Sequence, residues 1–574
     1  MKILLAAINA KYIHSNLGVC SLKAYAEANK GPCSQDRSVE IREYTMNHET
    51  DRILEDIYKR KPDLVGFSCY IWNIGYVRQL VRDLALVLPG TAVWLGGPEV
   101  SYDGENILRE EPAVKGVMTG EGEETFEELI RCYEEGREPE DVRGLIFRTA
   151  DGQIRSTGDR PLLPLDRIPF PYDSLEGMEH RILYYESSRG CPYSCSYCLS
   201  SVDKTVRFRS LELVKKELSF FLDNRVPQVK FVDRTFNCSR NHCQEIWQYL
   251  LDHDNGVTNF HFEISADLIS GEQLDILRQM RPGLIQLEIG VQSTHGETIR
   301  EIRRTMDLER LEQTVRTVRG FANIHQHLDL IAGLPCEDFD SFRRSFDRVY
   351  RMRPDQLQLG FLKVLKGSPM AGMVPEYGLK FHREPPYEVL STKWLDYGQI
   401  LEMKKVEEMT EIYYNSGQFS CTLQEMETQW QSPFDMFRAI GDHYERMGLD
   451  QVNHSRLARY EILFDFLKER EPGNLERYRD LLMCDLYLRE NIKSRPRFAR
   501  DQSPYKGAVR DFFIKERQNP EYLKAYAGCD ARQVSRMVHV EVLGDGKMIL
   551  FDYRDRDPLS YNGKAVEIGR IKLE

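Results

Sequence analysis

Three cysteines within eight residues constrain this chain more than any other feature. The stretch Arg189-Gly-Cys-Pro-Tyr-Ser-Cys-Ser-Tyr-Cys198 spaces Cys191, Cys195 and Cys198 as C-x3-C-x2-C. Three thiolates so placed can wrap one inorganic cluster but cannot complete a four-thiolate site. A cubane iron–sulfur cluster as a rule takes four cysteines, so one held by three keeps an iron open. Zinc also uses C-x2-C, but with a second pair or histidines nearby. No second C-x2-C occurs; Cys238 and Cys243 are five apart and Cys336 is isolated. With 13 cysteines in the chain, a chance cluster is the remaining alternative. A disulfide framework is disfavoured, because no signal peptide or apolar span precedes the motif. An iron–sulfur site is the favoured reading, with zinc and chance as the alternatives.

The length of 574 residues predicts three or four domains. Composition is 41% hydrophobic and 29% charged, as in ordinary globular proteins. Apolar runs such as residues 3–8 are too short to cross a bilayer. The chain enters a strand-like segment at residues 2–8 with no signal architecture, so a cytoplasmic protein with reduced thiols and no membrane partner is expected. A net charge of −12 gives no prior for nucleic acid, which calls for a basic stripe. An RNA substrate is disfavoured and would need a local basic groove.

Residues 1–150 alternate strand-like runs (2–8, 40–44, 64–69, 92–96, 116–119) with helical ones (17–29, 50–59, 74–88, 125–135). This alternation predicts a doubly wound parallel sheet, with ligands beyond the carboxyl ends of its strands. Three loops stand there: Ser68-Cys-Tyr-Ile-Trp-Asn73, Gly96-Gly-Pro-Glu-Val-Ser101 and Gly120-Glu-Gly-Glu-Glu-Thr125. Their glycines let backbone approach a flat ligand. Each loop alone reads equally well as a turn, and Glu123 or Glu124 with Thr125 as helix N-terminal chemistry.

Residues 151–183 change character, with four prolines in residues 161–171, and predict a semi-rigid connector. Strand-like runs then recur at 183–187, 228–233, 259–264, 284–290, 326–332 and 356–361, with helices between them. Six such units predict a partial (β/α) barrel over residues 184–375, with function at the strands' C-terminal ends. Asp233, Glu263, Ser265, Gln292 and Ser293 fall at those ends; the bland reading of the acidic ones is a structural hydrogen bond. Residues 376–574 predict a mainly helical domain ending in a hairpin of strands 538–543 and 548–553 around Asp545-Gly546.

The cysteine spacing resembles that of the radical S-adenosylmethionine (SAM) superfamily, whose core is a six-unit barrel and whose open iron chelates SAM. The loops "GGPE" and "GEGEETF" resemble those of the cobalamin-binding domain that precedes many such cores. Together, residues 1–370 are similar to the cobalamin-dependent radical SAM class. The resemblance implies a 4Fe–4S cluster on Cys191, Cys195 and Cys198. It implies SAM beside Asp233, Glu263, Ser265, Gln292 and Ser293, with Arg303 or Arg304 pairing the SAM carboxylate. It places cobalamin against Ser68, Tyr70, Trp72, Gly96, Gly97, Gly120 and Glu121.

Many cobalamin domains carry Asp-x-His-x-x-Gly after the first strand. Tyr12-Ile-His-Ser-Asn-Leu-Gly18 lacks the aspartate and has its glycine one residue late. His14 is therefore expected to line the pocket or cap a helix, leaving cobalt without a lower histidine. The implied activity is reductive SAM cleavage, hydrogen abstraction from an unactivated carbon and methyl transfer from methylcobalamin. A cyclisation or rearrangement without methyl transfer, a radical SAM enzyme with little cobalamin, and a non-enzymatic iron–sulfur or cobalamin sensor are the alternatives. A reducing partner such as flavodoxin or ferredoxin is expected, and the C-terminal domain is expected to cap the barrel and select the substrate. No motif names that substrate.

Overall fold

Seven of the eight residues of β1 (Lys2–Asn9) are buried, so both faces of this strand are covered. Only a central strand with layers on both sides can place so continuous an apolar run. A computed structural model, which describes residues 1–31, 34 and 36–571, puts it there. β1 pairs in parallel with β2 (Ser38–Thr45) and β3 (Leu64–Ser68), and β4 (Ala92–Gly96) and β5 (Val114–Met118) follow. The order β2-β1-β3-β4-β5 continues into β6 (Leu145–Arg148) and β7 (Ile154–Ser156), which run antiparallel. This two-strand extension was not expected; β7 falls in the stretch read as connector, and strands this short carry little periodicity.

Helices α1 (Leu17–Ala28), α2 (Thr50–Arg60), α3 (Ile74–Val87), α4 (Pro98–Ser101), α5 (Gly104–Glu110) and α6 (Glu123–Glu134) link the strands. Alternate residues of β1 feed two cores. Leu4, Ala6 and Ile8 meet Ile53, Ile57, Val77 and Leu84, whereas Ile3, Leu5 and Ala7 meet Val19, Ala26, Phe126 and Leu129.

The chain divides into two compact units. The first comprises Met1–Phe321, Gly333–Asp338 and Phe361–Asp396, and so holds the sheet above. It also holds β8 (Leu183–Tyr185), the antiparallel pair β9 (Ser188–Arg189) and β10 (Arg207–Phe208), and β11 (Gln228–Phe231), β12 (Asn259–Ile264) and β13 (Ile285–Gln292). Strands β13-β12-β11-β8 form a parallel sheet. One face is apolar and helix-covered: Phe231 meets Phe236 edge-on and Phe262 meets it at a tilt, and Phe236 meets Trp247 of helix Arg240–Asp252.

The second unit holds β14 (His325–Ala332) and β15 (Gln356–Phe361), side by side, and most of the C-terminal helices. Helix Phe339–Tyr350 packs Phe346 and Tyr350 against Phe434 and Phe437 of helix Pro433–Arg446. The chain's last sheet is three-stranded, Val538–Val542, Lys547–Asp552 and Lys564–Arg570, where a hairpin was expected. Its third strand is almost wholly exposed, so no buried alternation marks it in the sequence. Among the described residues no helix is long and apolar enough to cross a membrane.

Candidate cofactor and active site

The cysteine loop leaves β9 and is fastened at both ends. Cys191 N–H donates to the Asp203 carbonyl at 3.1 Å, and Ser196 N–H donates to the Ile302 carbonyl at 2.9 Å. Cys191 and Cys195 are 8% exposed and Cys198 is half-buried; all three thiols are free. Among the described residues no three His, Cys, Asp or Glu side chains converge on one ion position. Burial pushes the Cys195 thiol up, and Arg304 opposes it.

Arg304 is the residue that joins this loop to the sheet. Its guanidinium stands 3.9 Å from Cys195 Sγ, donates to Tyr197 Oη at 3.3 Å and also donates to the Gly290 carbonyl. A Cβ on Gly290 would lie 2.4 Å from Gln292 Nε2 and 3.5 Å from the Arg304 guanidinium, so a side chain there would displace the Gln292 amide. The fork of Arg304 is thus engaged with the cysteine loop, whereas Arg303 is exposed.

The five residues expected near SAM are treated differently by the fold. Gln292 ends β13 with φ +70°, a strained value for a residue with a Cβ, and its Oε1 is buried without a partner. An orphaned acceptor beside the cysteine loop fits a bound polar ligand. Ser293 is wholly buried and donates to Glu337 at 2.7 Å. Ser265 donates to Asp267 at 2.6 Å, and its backbone pairs with Asn237. Asp233 is wholly buried; it accepts from the Ser187 and Ser188 hydroxyls at 2.6 Å and from Ser187 N–H at 3.0 Å. These bonds tether β9 to the end of β11. Glu263 stays partly exposed on the face of the sheet that carries Lys230.

The loops expected to contact cobalamin lie side by side at the ends of β3, β4 and β5. Between β1 and β3 the winding direction reverses, the usual place for a ligand crevice. There Tyr70 and Trp72 stack with centroids 4.4 Å apart, and Trp72 Nε1 donates to the Ile8 carbonyl. Ser68 lies beneath them, 3.5 Å from Asn16 Nδ2. Gly97 has φ +111°, and a Cβ there would sit 2.5 Å from the Cys69 carbonyl oxygen. Gly97 is therefore required by the close approach of two loops. Gly96 packs on Met118, whereas Gly120, at φ +70°, has open space where its Cβ would be.

Glu121 and Glu123 reach the hairpin that presents the cysteines. Arg207 donates to Glu121 at 3.1 Å, and Arg189 donates to Glu123 at 2.8 Å and to Glu186 at 2.6 Å. Glu99 of "GGPE" is buried and accepts from Tyr387, with Lys366 Nζ at 3.5 Å. Apart from Glu186 and Arg189, which are three positions apart, nothing in the sequence paired these residues, because the partners lie 66 to 288 positions apart.

His14 points onto the second sheet. Its Nδ1 is 2.7 Å from Tyr184 Oη, and burial, then Lys11 and Lys230, lower its pKa. On the face opposite Phe231 and Phe262, Tyr184, Lys230, His261 and Gln286 form one cross-strand row, and Glu263 with Glu288 the next. Lys230 Nζ is 2.8 Å from Glu288 and 3.8 Å from Glu263, and His261 Nε2 is 2.9 Å from Glu288. Burial works to raise the pKa of Glu288, but His261 and Lys230 override it and hold the carboxyl well below the usual range.

Three family models match the chain. They are the B12 binding domain at residues 3–130, the radical SAM superfamily at residues 185–349, and a protein of unknown function (DUF4080) at residues 375–549. "Uncharacterized methyltransferase PH0819" of Pyrococcus horikoshii is 32% identical over 206 residues, 34% of this chain and 44% of that protein. The anaerobic magnesium-protoporphyrin IX monomethyl ester cyclase of Rubrivivax gelatinosus is 23% identical over 54% of this chain and 58% of its own length. The chain thus spans about half the length of these curated relatives. Distant relatives are mostly methyltransferases, with some cyclases. Among solved structures, the cobalamin-dependent SAM radical enzyme OxsB with aqua-cobalamin and SAM bound gives a TM-score of 0.59 at 15% identity, over 90% of this chain and 80% of that one. At that identity the likeness concerns the fold alone. With a B12 binding domain, a radical SAM domain and a DUF4080 region in that order, the chain belongs to the cobalamin-dependent radical SAM class.

Proposed function

We propose that this protein is a cobalamin-dependent radical SAM methyltransferase acting on an unactivated carbon. One observation carries the reading. The loop bearing Cys191, Cys195 and Cys198 is locked by Arg189 and Arg207 to Glu123 and Glu121, in the loop and helix start that follow β5 in the B12 binding domain. Both cofactor sites are thereby built into one rigidly paired network.

Cys191, Cys195 and Cys198 would hold a 4Fe–4S cluster with one iron left for SAM. When bound, the cluster supplies the electron that splits SAM into methionine and a 5′-deoxyadenosyl radical, and cobalamin supplies the methyl group. Arg304 places a cationic donor 3.9 Å from Cys195 Sγ and stabilises its thiolate. Gln292 offers its unpartnered Oε1 to SAM, and Glu263 and Ser293 stand at neighbouring strand ends. Asp233 and Ser265 act one step back, by holding β9 and the end of β12. Tyr70, Trp72, Ser68, Gly96 and Gly120 supply the flat, open surface for the corrin, and Gly97 and Glu121 set the positions of its loops. A one-electron donor such as flavodoxin or ferredoxin would reduce the cluster.

Anaerobic reconstitution tests the proposal. The expected results are a cluster absorbance, corrinoid uptake, 5′-deoxyadenosine on reduction with SAM, and a methylated product. A protein that binds iron but forms no 5′-deoxyadenosine would refute it. Cyclisation without methyl transfer is the second reading, favoured by the likeness to the protoporphyrin ester cyclase; deoxyadenosine without a methylated product would select it.

A further inference from the structure

The face of the β13-β12-β11-β8 sheet that carries Lys230 and Glu288 is unusual for the interior of a folded unit. Its side chains at two successive cross-strand levels are Tyr184, Lys230, His261, Gln286, Glu263 and Glu288, and none is apolar. The opposite face of the same strands, with Val229, Phe231, Phe260, Phe262, Leu287 and Ile289, is completely buried and apolar. The alternation of a β-strand separates the two. Lys230, Glu263 and Glu288 keep 23%, 31% and 21% of their side-chain surface exposed, so solvent reaches them. Backbone pairing fixes their spacing, and ion pairs fix their rotamers: Glu288 holds both Lys230 and His261. His14, from the loop after β1, closes over Tyr184 at 2.7 Å and so brings the B12 binding domain to the edge of this face.

We propose that this face is the substrate platform and that the substrate is a hydrophilic molecule carrying several hydrogen-bonding or ionised groups, not a lipid or a porphyrin-like ring. The inference rests on the radical SAM reading above and names the substrate class for that same site. The physical reason is desolvation. An apolar substrate laid on this surface would strip water from one ammonium and two carboxylates and return nothing, at a cost of several kcal/mol per ion. A polar substrate replaces that water with directed bonds. The lysine, carboxylates, imidazole and phenol present both donors and acceptors to it. Strand-borne side chains give such bonds a fixed geometry, as hydrogen abstraction from one chosen carbon requires.

The test uses the reconstituted holoenzyme with SAM labelled in its methyl group and a chemical reductant. Extract of the source cells is split into chloroform-soluble and water-soluble fractions, and each is added in turn. The water-soluble fraction is expected to raise 5′-deoxyadenosine formation about tenfold or more, the worth of a charged hydrogen bond, and to receive the label. Stimulation by the chloroform-soluble fraction, or by neither, overturns the platform assignment. Substrate-free SAM cleavage reports separately on the underlying reading: its absence under every condition overturns that reading and the platform with it. The double variant K230M/E288L replaces an ion pair with apolar groups of similar size, an exchange that stability tolerates. With cluster iron and corrin absorbance as folding controls, it is expected to lose the stimulation about tenfold. The isosteric Tyr184→Phe variant, outside the residues expected beside SAM, serves if the pair variant fails to retain iron. A full response in a folded variant sinks the proposal.

Discussion

Arg189 and Glu123 meet at 2.8 Å, which joins the strand immediately ahead of Cys191 to the first residue of α6. Glu123 is almost fully buried, at 6% side-chain exposure, and Arg189 is 20% exposed. Breaking this pair removes one charged partner of Arg189 while Glu186 stays at 2.6 Å, at a cost of about 2 kcal/mol. Glu123→Ala is therefore expected to lose about that much stability in urea titration of the apo-protein. Removing Glu55, whose pairs with Arg52 and Lys59 are open to solvent, should leave the urea midpoint unchanged. Equal effects would show that the Arg189 network is not structural.

Asp233 yields a pH dependence of definite sign. Burial pushes its carboxyl up to about 6, against the lowering effect of its bonds from Ser187 and Ser188. The folded state therefore binds this proton more readily than the unfolded chain. Its contribution is fully present below the unfolded carboxylate value near 4 and is lost as pH rises through about 6. Between pH 7 and pH 4.5 the stability of the wild type relative to Asp233→Asn should rise by about 2 kcal/mol. A constant difference between the two unfolding curves would contradict this.

Two glycines at neighbouring strand ends should respond differently to alanine. At Gly97 the new Cβ would lie 2.5 Å from the Cys69 carbonyl oxygen, and φ is +111°. Backbone cannot yield there cheaply, and a loss of about 3 kcal/mol in Gly97→Ala is expected. Gly120→Ala meets open space and carries only the conformational cost, about 1 kcal/mol. Its larger effect should be on corrinoid uptake, measured by absorbance after reconstitution. Normal uptake in Gly120→Ala with lost uptake in a folded Gly97→Ala would reverse the assignment.

His14 is held by Tyr184, 2.7 Å from its Nδ1. The cob(II)alamin spectrum should then lack histidine nitrogen splitting, and His14→Ala should leave it unchanged. The variant should lose about 1 kcal/mol from the missing hydrogen bond. Nitrogen splitting that disappears in His14→Ala would identify this histidine as a cobalt ligand.

Much of the architecture is legible from local pattern. The five parallel strands of the first sheet, β8, and β11 to β15 lie within a few residues of where alternation and turn residues place them. Strands β6 and β7, of four and three residues, and the exposed strand Lys564–Arg570 have too little periodicity to be read. Among site residues, the cysteines announce themselves by spacing. Arg304, Glu123, Arg189 and Glu337 do not, because their meaning comes from partners in other elements. Cys336 and Cys243 show the converse, as chemically suggestive residues whose charged neighbours lie outside the cysteine loop, whereas burial and then nearby Cys191 push the Cys238 thiol up.

The sequence by itself determined which chemistry this chain is equipped for, since three thiols in one loop and glycine-bearing loops after successive strands are local properties of a few residues each. Tertiary structure alone decided how those parts are used. It turned Asp233 and Ser265 inward as tethers, set Glu121 and Glu123 on arginines beside the cysteines, and gathered Lys230, His261, Glu263 and Glu288 on one face. The physical reason is that a carboxylate's role depends on its burial and on the charges within a few ångströms, and in a folded chain those neighbours come from segments far apart in sequence.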